Sequence, residues 1–140
     1  DPEAADIVFK SGTLITVRPL DVTHTALATK PRIEAFRALN SKVGTFAAEM
    51  LDFFERFDAE KYGSDGGPLH DPCVIACLIR PELFAGKHVN VEIETQSELT
   101  RGMTVADWWR VTDRAPNAMF MDQVDADGFF SLLTERLARL

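Results

Sequence analysis

From residue 43 to residue 57 the chain sets Val43, Phe46, Ala47, Met50, Phe53, Phe54 and Phe57 at steps of three and four, with Glu49, Asp52, Glu55 and Arg56 between them. That spacing follows the helical turn and predicts a long amphipathic helix beginning near Ser41, its apolar stripe facing inward. A single helix is marginal in water without tertiary packing, so the segments around it decide the fold.

Those segments alternate in character. DPEAADIVFKSG predicts a short helix, with Asp1 as N-cap, Pro2 at the first helical position, Ile7, Val8 and Phe9 inward, and a stop at Gly12. Leu14 to Val17 is apolar and β-branched, is closed by Pro19, and predicts a buried strand. Pro31 to Leu39 predicts a helix, and the run GSDGGP at 63–68 predicts a loop. Asp71-Pro72 repeats the Asp1-Pro2 cap pattern and opens an apolar helix from Cys73 to Ile79.

Further on, Val89, Val91 and Ile93 alternate with Asn90, Glu92 and Glu94, the pattern of a strand with one polar face. A strand near Ala118 to Met121 precedes a last helix, capped by Asp125 or Asp127, which buries Phe130, Leu133 and Leu137 and sets Arg136 and Arg139 at its negative end. The expectation is an α/β fold, with an open, mixed, largely parallel sheet flanked by helices, because helices intervene between strands. With no repeat and no low-complexity linker, the 140 residues read as one domain or part of one.

Composition narrows the function. A net charge of -7 opposes binding to a nucleic-acid polymer or an anionic membrane surface, and no apolar run approaches the roughly 18 residues of a membrane span. Cys73 and Cys77, the only cysteines, are four apart on one helix, which suits neither a disulfide framework nor a metal knuckle. A reduced, cytoplasmic setting is the natural reading. The chain starts at Asp rather than Met, which points to a clipped product or a piece of something longer.

Several motifs fall away on chemical grounds. The glycines at 63–67 lack the Gly-Lys-Ser/Thr ending of a phosphate loop, and no G-x-S-x-G elbow occurs. DQVDADG at 122–128 resembles a calcium loop, but its first ligand position would be Gln123 and its twelfth Thr134 rather than Glu, so helix capping explains it better. His24 and His88 stand alone and read as structural or solvent-facing.

His70-Asp71, in DGGPLHDPC, differs in having an imidazole and a carboxylate side by side at a helix start. A capping carboxylate keeps a second oxygen free for a cation or hydroxyl, and two glycines and a proline upstream let backbone approach a ligand closely. On the residues themselves, plain capping and a ligand site both stay open. Tyr62, at the end of the long helix, likewise has two readings: contact with a ligand, or a ring packed on Phe54 or Phe57.

GGPLHDPCVIACLIRPELF, followed by VNVEIETQSELTRGMTV and preceded by DPEAADIVFKSG and PLDVTHTAL, resembles the C-terminal half of the inosine-uridine preferring ribonucleoside hydrolases. PLHDP and ET-x-x-E-L-T-R-G are the specific parts. The resemblance implies a Rossmann-like fold and hydrolysis of a nucleoside N-glycosidic bond with a bound calcium ion (Ca2+). On the matching positions it implies that Asp71 is a calcium ligand, that His70 donates a proton to the departing base, and that Tyr62 sits on a flap over the nucleobase. It further implies a homo-oligomer, commonly a dimer or tetramer. Family members are roughly twice this length, and their Asp-rich D-T-D-P-G-x-D-D motif is absent here. The expected partner is therefore an N-terminal half that carries most metal ligands. The other class left open is a non-catalytic α/β binding or assembly module that keeps the shape without the chemistry.

Overall fold

Helices and strands both occur along the chain in the computed structural model, in which side chains are described for residues 1–54 and 63–140. In chain order the elements are α1 (Pro2–Lys10), β1 (Ile15–Val17), α2 (Leu20–Thr23), β2 (Leu27–Thr29), α3 (Lys30–Arg37), α4 (Lys42–Tyr62), β3 (Gly66–Pro68), α5 (Asp71–Ile79), β4 (Phe84–Val89), β5 (Val91–Ile93), β6 (Thr104–Ala106), β7 (Ala118–Val124) and α6 (Ala126–Leu137). One open sheet has the order β1-β7-β4, with β1 and β7 parallel. Two antiparallel ribbons, β2-β3 and β5-β6, make the strand arrangement mixed. The chain gathers into two compact units, Asp1–Pro19 with Ala85–Asp122, and Leu20–Phe84 with Gln123–Leu140.

In the first unit Val89, Val91, Ala118 and Phe120 form the core, joined by Phe9, Ile15, Val17, Ala106 and Trp108. Asp1 caps α1 as expected, its carboxylate accepting from the Ala4 N–H at 2.9 Å. Ile7 and Val8 do not turn inward: Ile7 is 70% exposed, and only Phe9 joins the core. A nine-residue helix offers one narrow strip, and Asn117 selects it by donating from Nδ2 to the carbonyls of Phe9 and Val91. β1 is half-buried rather than buried, since it has a strand neighbour on one side only. The alternating run at 89–93 is broken into two strands at Asn90, whose buried amide donates to the Ala115 carbonyl at 3.0 Å.

In the second unit the buried face of α4 is turned from the expected one, with Val43 and Ala47 half-buried and the side chain of Phe57 outside the described residues. The buried side carries Gly44, Ala48 and Leu51, while Phe46, Met50, Phe53 and Phe54 face out, Phe53 with 75% of its surface exposed. Close packing against α3 explains the difference. A Cβ on Gly44 would lie 2.5 Å from the Phe36 carbonyl oxygen, so the small residues have to be on the inside. Arg37 of α3 holds Asp52 of α4 at 2.6 Å and locks that register. Gly63, with φ of +63°, stands directly after α4 in the left-handed conformation that ends helices.

α5 buries Cys73, Ala76 and Cys77, and α6 buries Phe129, Phe130 and Leu132. Leu133 and Leu137, expected inside, are half-buried because the inward stripe of α6 runs through Phe129 and Leu132 instead. Asp125 is the α6 cap, accepting from the Gly128 N–H at 3.0 Å, and Asp127 instead pairs with Arg32 at 2.6 Å.

The run expected as a loop at 63–68 ends in strand β3, which is wholly buried and paired with β2 in the register Leu27↔Pro68, Ala28↔Gly67, Thr29↔Gly66. Its glycines serve a backbone rather than a ligand: a Cβ on Gly66 would lie 2.6 Å from the Ala28 carbonyl oxygen. Gly66→Ala should accordingly destabilise the protein by about 1–3 kcal/mol, read as a lower urea midpoint; an unchanged midpoint would refute the close approach. The helix starts make a paired prediction. Asp125→Ala should cost about 1 kcal/mol through its lost cap, whereas Asp71→Ala, which removes no cap bond, should cost less in the same denaturation experiment.

Candidate active site

The ribbon β2-β3 assembles this region. Beyond its last pair the Leu69 N–H donates to the Ala26 carbonyl at 3.1 Å, so the chain entering β2 and the chain leaving β3 run side by side. Thr23, at the end of α2, thereby meets His70, 47 residues away: Thr23 Oγ1 and His70 Nδ1 are 2.8 Å apart. Thr23 is only 2% exposed, whereas His70 is half-buried and reaches the surface. The His24 ring lies 5.6 Å from that of His70, tilted by 48°. His24 is exposed, as expected, but does not stand alone as its sequence setting had suggested.

Asp71 departs from the cap reading. α5 starts at Asp71 itself, the cap position is His70, and no side-chain cap bond forms there. Asp71 sits in the first turn, where a negative charge is favoured by the helix dipole. It is exposed, and among the described residues its carboxylate has no hydrogen-bond partner, which leaves both oxygens available. His70 Nε2 likewise has no partner among the described residues.

A groove of about 320 Å³ opens beside this pair. Met50, Leu51 and Phe54 of α4 wall one side, and Pro68, Leu69 and Pro72 frame His70 and Asp71. It is an apolar cleft with an imidazole and a carboxylate at its edge, the composition typical of small-molecule sites. The side chain of Tyr62 lies outside the described residues.

The second specific motif, in the first unit, is occupied with its own loop. Glu94 accepts N–H bonds from Gln96 at 2.7 Å and Ser97 at 3.0 Å, and these donors hold its carboxyl below the usual range. Arg101 pairs with Glu3, and Gly102, at φ of +92°, completes the turn leading into β6. These residues shape the β5-β6 ribbon.

Calcium requires about six to eight oxygen ligands. Among the described residues no three His, Cys, Asp or Glu side chains gather around one point, so Asp71 could bring only a single carboxylate to such a set and the described residues alone do not fit the ion. Cys73 and Cys77 are both buried in α5, the Cys73 thiol donating to the Leu69 carbonyl, so neither thiol is set as a nucleophile.

Nothing local marks Thr23 as a site residue, because a threonine in a short turn ordinarily bonds its own backbone. Only the pairing of β2 with β3 brings it to His70. The order of PLDVTHTAL and PLHDP along the chain is the one sequence signal that joins them.

The sequence pattern of the inosine-uridine preferring nucleoside hydrolases matches residues 1–131. The pyrimidine-specific ribonucleoside hydrolase RihA of Enterobacter sp. (strain 638) is 51% identical over 140 residues, covering 99% of this chain and 45% of that protein. An uncharacterised protein of Schizosaccharomyces pombe is 48% identical, covering 100% of this chain and 45% of its own length. Among solved structures, a purine-preferring ribonucleoside hydrolase from Gardnerella vaginalis superposes with a TM-score of 0.85 at 33% identity, over 99% of this chain and 44% of that one. A plant nucleoside hydrolase gives 0.88 at 28% identity, over 100% and 46%. The chain spans about 45% of the length of the curated relatives it matches, and the match falls on their C-terminal portion. With the fold and the sequence in agreement over nearly all its residues, the chain belongs to the inosine-uridine preferring nucleoside hydrolase family.

Proposed function

We propose that the complete enzyme hydrolyses the N-glycosidic bond of ribonucleosides, with these residues forming the C-terminal portion of a single nucleoside hydrolase domain. Water adds to the anomeric carbon and releases a proton to solvent, the carbon-nitrogen bond breaks, and the bonding pair leaves with the base, which takes up a proton from an acid that solvent then recharges. The products are ribose and the free nucleobase. His70 is the proton donor, acting from Nε2. The observation that carries this reading is His70, with Nε2 open, beside Asp71 at the edge of an apolar groove of about 320 Å³.

The chemistry suits the residue types. An oxocarbenium-like transition state needs its leaving group to shed charge, and an imidazole can give up a proton near neutral pH. Proton donation acts in the transition state and contributes little to binding. Asp71, with both oxygens available, is one ligand of a calcium site whose other ligands come from outside these residues. Bound there, calcium would supply a hard, oxygen-seeking centre for hydroxyls and for easing the ionisation of water.

The large apolar side chains exposed on α4 and α5, Leu78 at 74% among them, support a reading in which further chain covers this surface. We assign that role to the N-terminal half of the same enzyme, acting in the cytoplasm as a homo-oligomer. Pyrimidine ribonucleosides are the substrates of choice, on the strength of the 51% identity to a pyrimidine-specific relative. Tyr62, the last residue of α4 before the glycine run, is given the contact with the base.

In the complete enzyme His70→Ala should lower kcat by about 100-fold or more while KM changes little, as steady-state kinetics on uridine and inosine would show. Unchanged turnover would remove His70 as the acid. Asp71→Ala should abolish tight calcium binding in titration calorimetry, and native-like affinity in that variant would rule out the ligand role.

A further inference from the structure

We propose that Thr23 is a positioning residue for His70: its hydroxyl accepts a hydrogen bond from Nδ1–H, fixing the ring so that Nε2 is the nitrogen that meets the leaving base. This rests on the reading of His70 as proton donor. Thr23 and Asn90 are the two buried polar side chains among the described residues. Asn90 is satisfied by backbone, whereas Thr23 makes one long bond within its own helix and a shorter one outside it. Its hydroxyl lies 3.5 Å from the Leu20 carbonyl and 2.8 Å from the imidazole, so the shorter bond is the one to the ring. A buried hydroxyl costs stability unless its bonds are made, and here the principal one is to His70.

The direction of the bond follows from donor and acceptor counts. A ring ready to give up a proton from Nε2 carries protons on both nitrogens, so Nδ1 can only donate. Thr23 Oγ1 must then accept, and its own proton has the Leu20 carbonyl as acceptor. Once Nε2 has lost its proton the same bond persists, and the neutral ring stays in the Nδ1–H form with no rearrangement of Thr23. A free histidine ring prefers the Nε2–H form, so the hydroxyl imposes a tautomer that solution would not. His24, next in sequence, adds its ring 5.6 Å away, so consecutive residues flank the imidazole. The arrangement resembles the outer partners that orient metal-bound histidines, whose loss typically costs about 10–100-fold in metal affinity or activity.

The test uses the complete enzyme with 15N-labelled histidine, comparing wild type, Thr23→Val and Thr23→Ser. Ring nitrogen shifts of neutral His70 should report Nδ1–H in wild type and Thr23→Ser, and Nε2–H in Thr23→Val. In steady-state kinetics Thr23→Val should lower kcat about tenfold or more with KM within about twofold, and Thr23→Ser should recover most of the loss. An Nε2–H ring in wild type overturns the proposal even if the valine variant fails to fold. A changed tautomer with unchanged kcat overturns it as well, and so does a serine variant that stays as slow as valine. The ring shifts report the Thr23 bond alone and turnover of His70→Ala reports the acid reading alone, so failure of one is distinguishable from failure of the other.

Discussion

The site hangs on a backbone contact that only a residue without a side chain permits. Gly66 lies so close to the Ala28 carbonyl that a Cβ would come within 2.6 Å of its oxygen. This approach lets β3 pair with β2, and the pairing carries on to Leu69 and Ala26. His70 leaves the end of one strand just where Thr23 precedes the other. A bond between residues 47 apart is thus fixed by strand register, and a slip of one residue would turn the neighbouring side chains to the opposite face.

The helices around this ribbon are placed by the same kind of close approach. Gly44 and Ala48 bring α4 against α3, and the consequence is that Met50 and Phe54 point away from the core. They wall the groove beside His70. The three aspartates at helix starts then differ in what they do. Asp1 and Asp125 are engaged as caps, at 2.9 Å and 3.0 Å, whereas Asp71 lies one position inside its helix and caps nothing. Its charge is favoured by the helix terminus while its oxygens stay uncommitted, which is what a metal or hydroxyl ligand requires.

Much of this was legible in the sequence. Helix starts at Asp1-Pro2 and Asp125, the long helix, the strand after Asn117 and the α/β class all follow from local signals of capping and periodicity. PLHDP holds His70 and Asp71, which stand together beside the groove. What local signals did not carry was the choice of face where small residues compete with large ones. Periodicity ranks Phe46, Met50 and Phe53 as core, but backbone proximity at Gly44 decides otherwise. The glycines at 66 and 67 likewise look like a loop until their partner strand is known. Thr23 is illegible for the same reason, since its meaning comes from register and not from its neighbours.

The central claim is that His70 gives its proton to the departing base. It is tested most directly by comparing two leaving groups in the complete enzyme, a natural nucleoside and 4-nitrophenyl β-D-ribofuranoside, whose phenolate departs without a proton. If the claim is right, His70→Ala loses most of its turnover on the nucleoside and keeps most of it on the nitrophenyl riboside. An equal loss on both would contradict the account, because the imidazole would then be acting on the sugar or the water instead of the base.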